Sequence, residues 1–328
     1  MRCTSFLVLA LIACGPHARD EQPSAQPDAA IASVDAESNA CPPPPNPAGP
    51  DVAFAAPFDQ LYDVYDLGPV PGVPGPLGGT VISIADNNTL LVAGASERED
   101  GAIYSIGVKR DPCGHIIGFN GTATLVANTP YVDANLVYMS NNLLLYTEWP
   151  QYTLSQIQTN ATTPARRTDL RTLGMPTIDS SPGGLGRVPP NLAPAGELRL
   201  VTWPSGGWYH AAATTSGSLV DITGLTQTAT LPNQPGGFAY VPAGSPGFPK
   251  QSVIVAEWQA SDADRVSVYE TDAQGDPVVS TRKEFFMKFP RPWGAYFEPV
   301  TGDYMFLSWG ASVDRLYIVQ GFVPPVLL

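Results

Sequence analysis

Two aspartates and three aromatic side chains are the residues whose types could do chemistry in this chain. Asp133 lies in TPYVDAN (129–135) and Asp179 in PTIDSSPGG (176–184), with Asn135, Asn233 and Gln234 of related type. Carboxylate and amide oxygens converging from separate loops would suit Ca2+, which takes roughly six to eight oxygen ligands. Asp and Asn also bond their own backbone in turns, so two carboxylates leave both readings open. Trp208 and Tyr209 in GGWYH, with Trp293 in FPRPWG, form the second set. Large flat rings with a polar tip can make a binding face for a protein or a glycan.

Other chemistries find little to work with. Ser245 sits in AGSPG, with alanine where a nucleophile elbow needs its first glycine. No H-E-x-x-H, Walker loop or C-x-x-C pair occurs. TDAQGD (271–276) lacks the D-x-[DN]-x-[DN]-G spacing of a calcium loop and reads as a hairpin turn. Cys113 and His115 in DPCGHI could make a reactive thiol, but a structural disulfide is the plainer reading in an oxidising compartment. The catalytic set is therefore empty, and no cofactor other than Ca2+ is indicated.

The elements that must position these residues come from a repeat. NLVYMSNNLLLYTEW, GLGRVPPNLAPAGELRLVTW, GFAYVPAGSPGFPKQSVIVAEW and GAYFEPVTGDYMFLSW end at Trp149, Trp203, Trp258 and Trp309, spaced 54, 55 and 51 residues apart. Each is a strand, a turn, a second strand and a tryptophan. GGTVISIADNNTLLVAGA (78–95) is a fifth copy without the tryptophan. Strand-like runs follow, such as AIYSIGVK, RVSVYET and DRLYIVQG. Four strands in about 50 residues is the period of a propeller blade. The expected fold is all-β, a β-propeller of four-stranded blades. Five blades is the reading, with six as the alternative if 205–235 hides a degenerate blade. LYDVYDL (61–67) is expected to supply the outer strand of the last blade and close the ring. The repeated tryptophans should cluster at one face, either as blade packing or as a platform.

The phrases PYVDANLVY with LLLYTEWP, GELRLVTWPSGGWY, and EPVTGDYMFLSWG with RLYIVQGF resemble those of uncharacterised exported bacterial β-propeller proteins over most of residues 59–322. The resemblance implies the fold and carries no catalytic residues. The layout is similar to NHL-type and gluconolactonase-like propellers in shape only.

The chain opens with Arg2 and a short apolar run ending Leu11-Ile12-Ala13-Cys14. Its length suits a secretory signal, and it is too short for a span. It resembles the lipobox of bacterial lipoproteins. That resemblance implies a signal peptide over residues 1–13 and a palmitate-type lipid anchor on Cys14. Gly15, in place of aspartate, implies the outer membrane of a cell envelope. Residues 14–52 are rich in proline, alanine and acids without apolar periodicity, and read as a disordered tether before the domain at 53–328. Cys41 and Cys113 are the two cysteines left, and an extracytoplasmic setting allows them to pair. The net charge of −13 excludes nucleic acid as a partner. A monomer is expected. Together these features point to a membrane-anchored binding or scaffold module for an envelope protein or glycan. The alternatives are a calcium-dependent hydrolase or lactonase working through Asp133 and Asp179, and a purely structural envelope protein.

Overall fold

A computed structural model describes Cys41 and residues 44–140, 142–178, 180–258, 264–310 and 314–327. The signal peptide, Cys14, most of the tether and Asp179 lie outside the described residues.

Strands β1 (Ala53–Phe54) and β2 (Asp63–Gly68) precede the first full blade. Blade 1 holds β3 (Thr80–Ile82), β4 (Thr89–Gly94), β5 (Ala102–Arg110) and β6 (Ile116–Asn128). Blade 2 holds β7 (Val132–Ser140), β8 (Leu143–Glu148), β9 (Thr153–Gln158) and β10 (Arg166–Asp169). Blade 3 holds β11 (Ser180–Arg187), β12 (Leu198–Pro204), β13 (Gly207–Ser216) and β14 (Leu219–Thr230). Blade 4 holds β15 (Pro235–Tyr240), β16 (Ser252–Glu257), β17 (Arg265–Glu270) and β18 (Lys283–Lys288), with β1 added at its outer edge. Blade 5 holds β19 (Pro292–Phe297), β20 (Tyr304–Ser308) and β21 (Leu316–Gln320), and β2 pairs antiparallel with β21 to complete it. The ring is therefore closed by LYDVYDL, as the sequence predicts. The 205–235 region forms β13 and β14, so the propeller has five blades.

The inner strands β3, β7, β11, β15 and β19 touch in succession, and β19 meets β3. The core follows from strand alternation. In β8, Leu143 and Leu145 face blade 3, while Leu144 and Tyr146 face blade 1. In β20, Met305 and Leu307 face blade 1, while Tyr304 and Phe306 face blade 4. Side chains alternate along a strand, so a strand buried on both faces must be apolar at every position. LLLY, VIVA and YMFL are such runs. Five apolar clusters result, one at each blade-to-blade interface.

The chain joins the propeller before the boundary at 52/53. Pro47 bridges Tyr65, Ala48 N–H donates to Val64 O and Asp66 N–H donates to Asn46 O. Cys41 is joined to Cys113 in the β5–β6 turn. The last part of the proline-rich stretch is thus held against blades 5 and 1, because its backbone finds partners there.

Candidate functional site

The channel through the ring is built level by level. The register pairs Leu136 with Tyr146, Leu185 with Leu200, Phe238 with Val255 and Ala295 with Phe306. Each of those partners lies three residues before a repeated tryptophan, so the four pairs are equivalent. The preceding residues are then Asn135, Gly184, Gly237 and Gly294, with Gly79 in blade 1. Four blades give glycine and one gives asparagine. A Cβ on Gly79 would stand 2.6 Å from the Asn135 carbonyl carbon, and one on Gly237 would stand 2.3 Å from Trp293 O. At this level there is room for one side chain.

Asn135 is that side chain. Its Oδ1 accepts from Leu185 N–H and Phe238 N–H, both at 3.2 Å. Its Nδ2 donates to Ala295 O at 2.9 Å and to Phe238 O at 3.3 Å. These backbone groups are free because β7, β11, β15 and β19 each break register just before this level. A break leaves backbone groups unpaired by the ladder. Buried, they need another partner, and one amide serves blades 3, 4 and 5.

One level further toward the repeated tryptophans stand Gly78, Ala134, Gly183, Gly236 and Trp293. Trp293 fills the axis there and is 2% exposed. Around it run Trp203, Trp258 and Trp309, with ring centroids 6.3, 5.9 and 6.0 Å away. Trp149 continues the arc at 5.3 Å from Trp203. The repeated tryptophans do cluster, and they close one end of the channel.

The three rings expected to form an aromatic binding face are buried in this structure. Trp293 is the plug at the centre of that cluster. Trp208 is fully buried between blades 3 and 4, packed 4.4 Å from Phe238, with its Nε1 donating to Asp276 Oδ1 at 3.1 Å. Tyr209 lies in the core between blades 2 and 3, and its hydroxyl bonds Gln227. GGWYH reads as a loop because of its glycines, yet it forms the start of β13. TDAQGD is a turn, as expected. Asp272 Oδ1 accepts from Gln274 N–H and Asp276 N–H, and Asp276 ties Arg199 of blade 3 at 2.7 Å.

Asp133 sits in β7 beside the plug, where its Oδ1 accepts from Trp293 Nε1 at 2.7 Å. Its Oδ2 is buried with no hydrogen-bond partner among the described residues. Burial, then the nearby Glu97 carboxyl, raises its pKa well above the ordinary value. Burial also pushes Glu97 up to about 8. The amide oxygen of Asn135 is already filled by two N–H groups. Among the described residues no group of three or more His, Cys, Asp and Glu could hold a metal ion.

The channel opens at its other end into a cavity of about 430 Å3. Asn135 forms part of its lining, and Tyr138, Tyr240, Tyr296 and Arg187 stand along its walls. Prolines 189, 190, 299 and 325 also border it. Tyr240 donates its hydroxyl to Gly275 O at 2.7 Å. Arg187 Nε donates to Gly196 O at 3.3 Å and its Nη1 to Tyr138 O at 3.1 Å. Burial lowers its pKa. The sequence did carry a signal for this axis. Leu-Gly-Gly, Pro-Gly-Gly, Pro-Gly-Gly and Trp-Gly recur at or near the start of the inner strands, and Asp133-Ala134-Asn135 breaks the pattern.

No protein-family model matches the chain, and no curated protein matches it. Solved structures do. A gluconolactonase from Xanthomonas campestris is 10% identical, over 85% of this chain and 98% of that one, with a TM-score of 0.49. A PQQ-bound aldose sugar dehydrogenase from Streptomyces coelicolor is 13% identical, over 77% and 82%, with a TM-score of 0.38. The Cps50 (Swd1) propeller domain of Myceliophteria thermophila is 12% identical, over 74% and 70%, with a TM-score of 0.38. These are likenesses of propeller to propeller and assign no activity to this chain.

Proposed function

We propose that the chain is an extracytoplasmic binding module, held at a membrane through a lipid on Cys14, which takes a ligand into the open end of its channel. The observation that carries this reading is the cavity. It is concave, walled by aromatic side chains with one charged group, and closed inside by a residue that the ring itself requires. That is the usual make-up of a ligand site. The lipobox resemblance and the Cys41–Cys113 disulfide both support export.

Filling the cavity tests the reading. Ala239 lines it, and Ala239→Phe would occupy it. Small molecules released from purified wild type should be missing from this variant, by mass spectrometry. The same release from both, with both folded, refutes the site. Anchoring has its own measurement. Cys14→Ala should move the chain from the membrane fraction to the soluble fraction, and retention at the membrane refutes the lipid.

A further inference from the structure

We propose that the cavity is a carboxylate site, in which Arg187 takes the carboxylate of a small monoanionic ligand whose apolar body lies among Tyr138, Tyr240 and Tyr296. This rests on the reading of the cavity as a ligand site.

The first ground is the state of Arg187. Nine of the eleven described arginines pair with a carboxylate. Arg291 is exposed to water. Arg187 is half-buried in the cavity wall, and among the described residues its partners are two backbone carbonyls. A guanidinium carries five N–H donors and favours bidentate contact with a carboxylate. Two donors are used here, and three remain. In a chain with 30 acidic residues against 17 basic ones, a half-buried arginine with no carboxylate partner among the described residues stands out, because partial burial of an unpaired charge is unfavourable. Gly196 keeps space beside it, since a Cβ there would stand 3.0 Å from Arg187 Nη2.

The second ground is the rest of the wall. One guanidinium balances one negative charge, which suits a carboxylate better than a phosphate dianion. The Tyr240 hydroxyl is committed to Gly275 O, and all four bonding positions used by the Asn135 amide are filled. Ile82, Leu185 and Phe238 give the wall apolar surface against which an apolar body would bury. Val326 and Leu327 border the same cavity while 75% and 69% exposed. They form an apolar lip that the outer end of such a ligand would cover.

The test uses the full chain and ligand-observed NMR. The probes are aryl- and alkyl-acetic acids, each matched with its primary carboxamide. The acids should bind wild type at least about tenfold more tightly than the amides, the worth of a charge-assisted contact. Arg187→Gln should erase that preference, and Arg187→Lys should keep part of it. The wild-type comparison needs no variant, so a misfolded substitution leaves the test intact. Acids and amides binding equally well overturns the carboxylate assignment while the cavity reading stands. Sugar acids binding more tightly than aryl acids overturns the apolar body. If no probe binds, both readings fall.

Discussion

Replacing Asn135 should unpin the ring. Asn135→Leu keeps the branched shape of the side chain, with more bulk, and removes every hydrogen bond. It leaves Leu185 N–H, Phe238 N–H, Phe238 C=O and Ala295 C=O without the partner they have now. A buried polar group left unsatisfied costs about 1–3 kcal/mol. Four of them at the low end give a loss of about 4 kcal/mol, a large share of the roughly 5–15 kcal/mol of a typical domain. Asn135→Ala should cost less, because Asn135 borders the cavity and water can follow the truncated side chain to the carbonyls. Asn135→Asp places a carboxylate against the two carbonyls that Nδ2 now serves. Its folded pKa must rise, so its stability relative to wild type is best at low pH and falls as pH increases. Urea unfolding at two pH values measures all three, with the midpoint read at constant slope. A midpoint for Asn135→Leu equivalent to less than about 1 kcal/mol of loss would show that these backbone groups find other partners, and the pin would not exist.

Two further perturbations test the surroundings. Glu97 has its pKa at about 8 in the fold, against an ordinary 4.5. The native state therefore holds a proton between these values that the unfolded chain has lost, so stability falls as pH rises through this window and levels off above it. Glu97→Gln should reduce that slope by on the order of a few kcal/mol across the window, and an unchanged slope in urea midpoints refutes the buried acid. Cys113→Ser opens a loop spanning 72 residues. It should cost about 4 kcal/mol by the loop-entropy relation, and an unchanged melting temperature would show that residues 46–52 hold this part of the chain without the bridge.

What could be read from the sequence was whatever repeats. The five hairpins and their tryptophans report blade packing, and LYDVYDL reports ring closure, because each blade must solve the same burial problem. Asp133 and Asn135 were legible by type, but their roles were not. They look like loop residues beside a turn, and only the register of four strands puts Asn135 on the axis. Trp208 and Tyr209 were misplaced for a related reason. The glycines before them suggest a loop, whereas Trp208 reaches across a blade interface to Phe238 and Asp276, residues 30 and 68 positions later. Arg187 gave no signal at all, since an unpaired arginine looks the same in sequence as a paired one.

The two ends of the channel differ because a ring of five admits one large side chain at each narrow level. Toward the tryptophans that place is taken twice, by Asn135 and then by Trp293. A Cβ on Gly236 would meet the Trp293 ring at 2.8 Å, and one on Gly294 would meet Gly78 O at 2.5 Å. Those glycines cannot be varied without parting the blades. Below Asn135 the equivalent positions are Ile82, Tyr138, Arg187, Tyr240 and Phe297, and all five carry large side chains. All five border the cavity. The proposed ligand site thus lies at the end where residues can change without breaking the ring, which is also the end that holds Arg187.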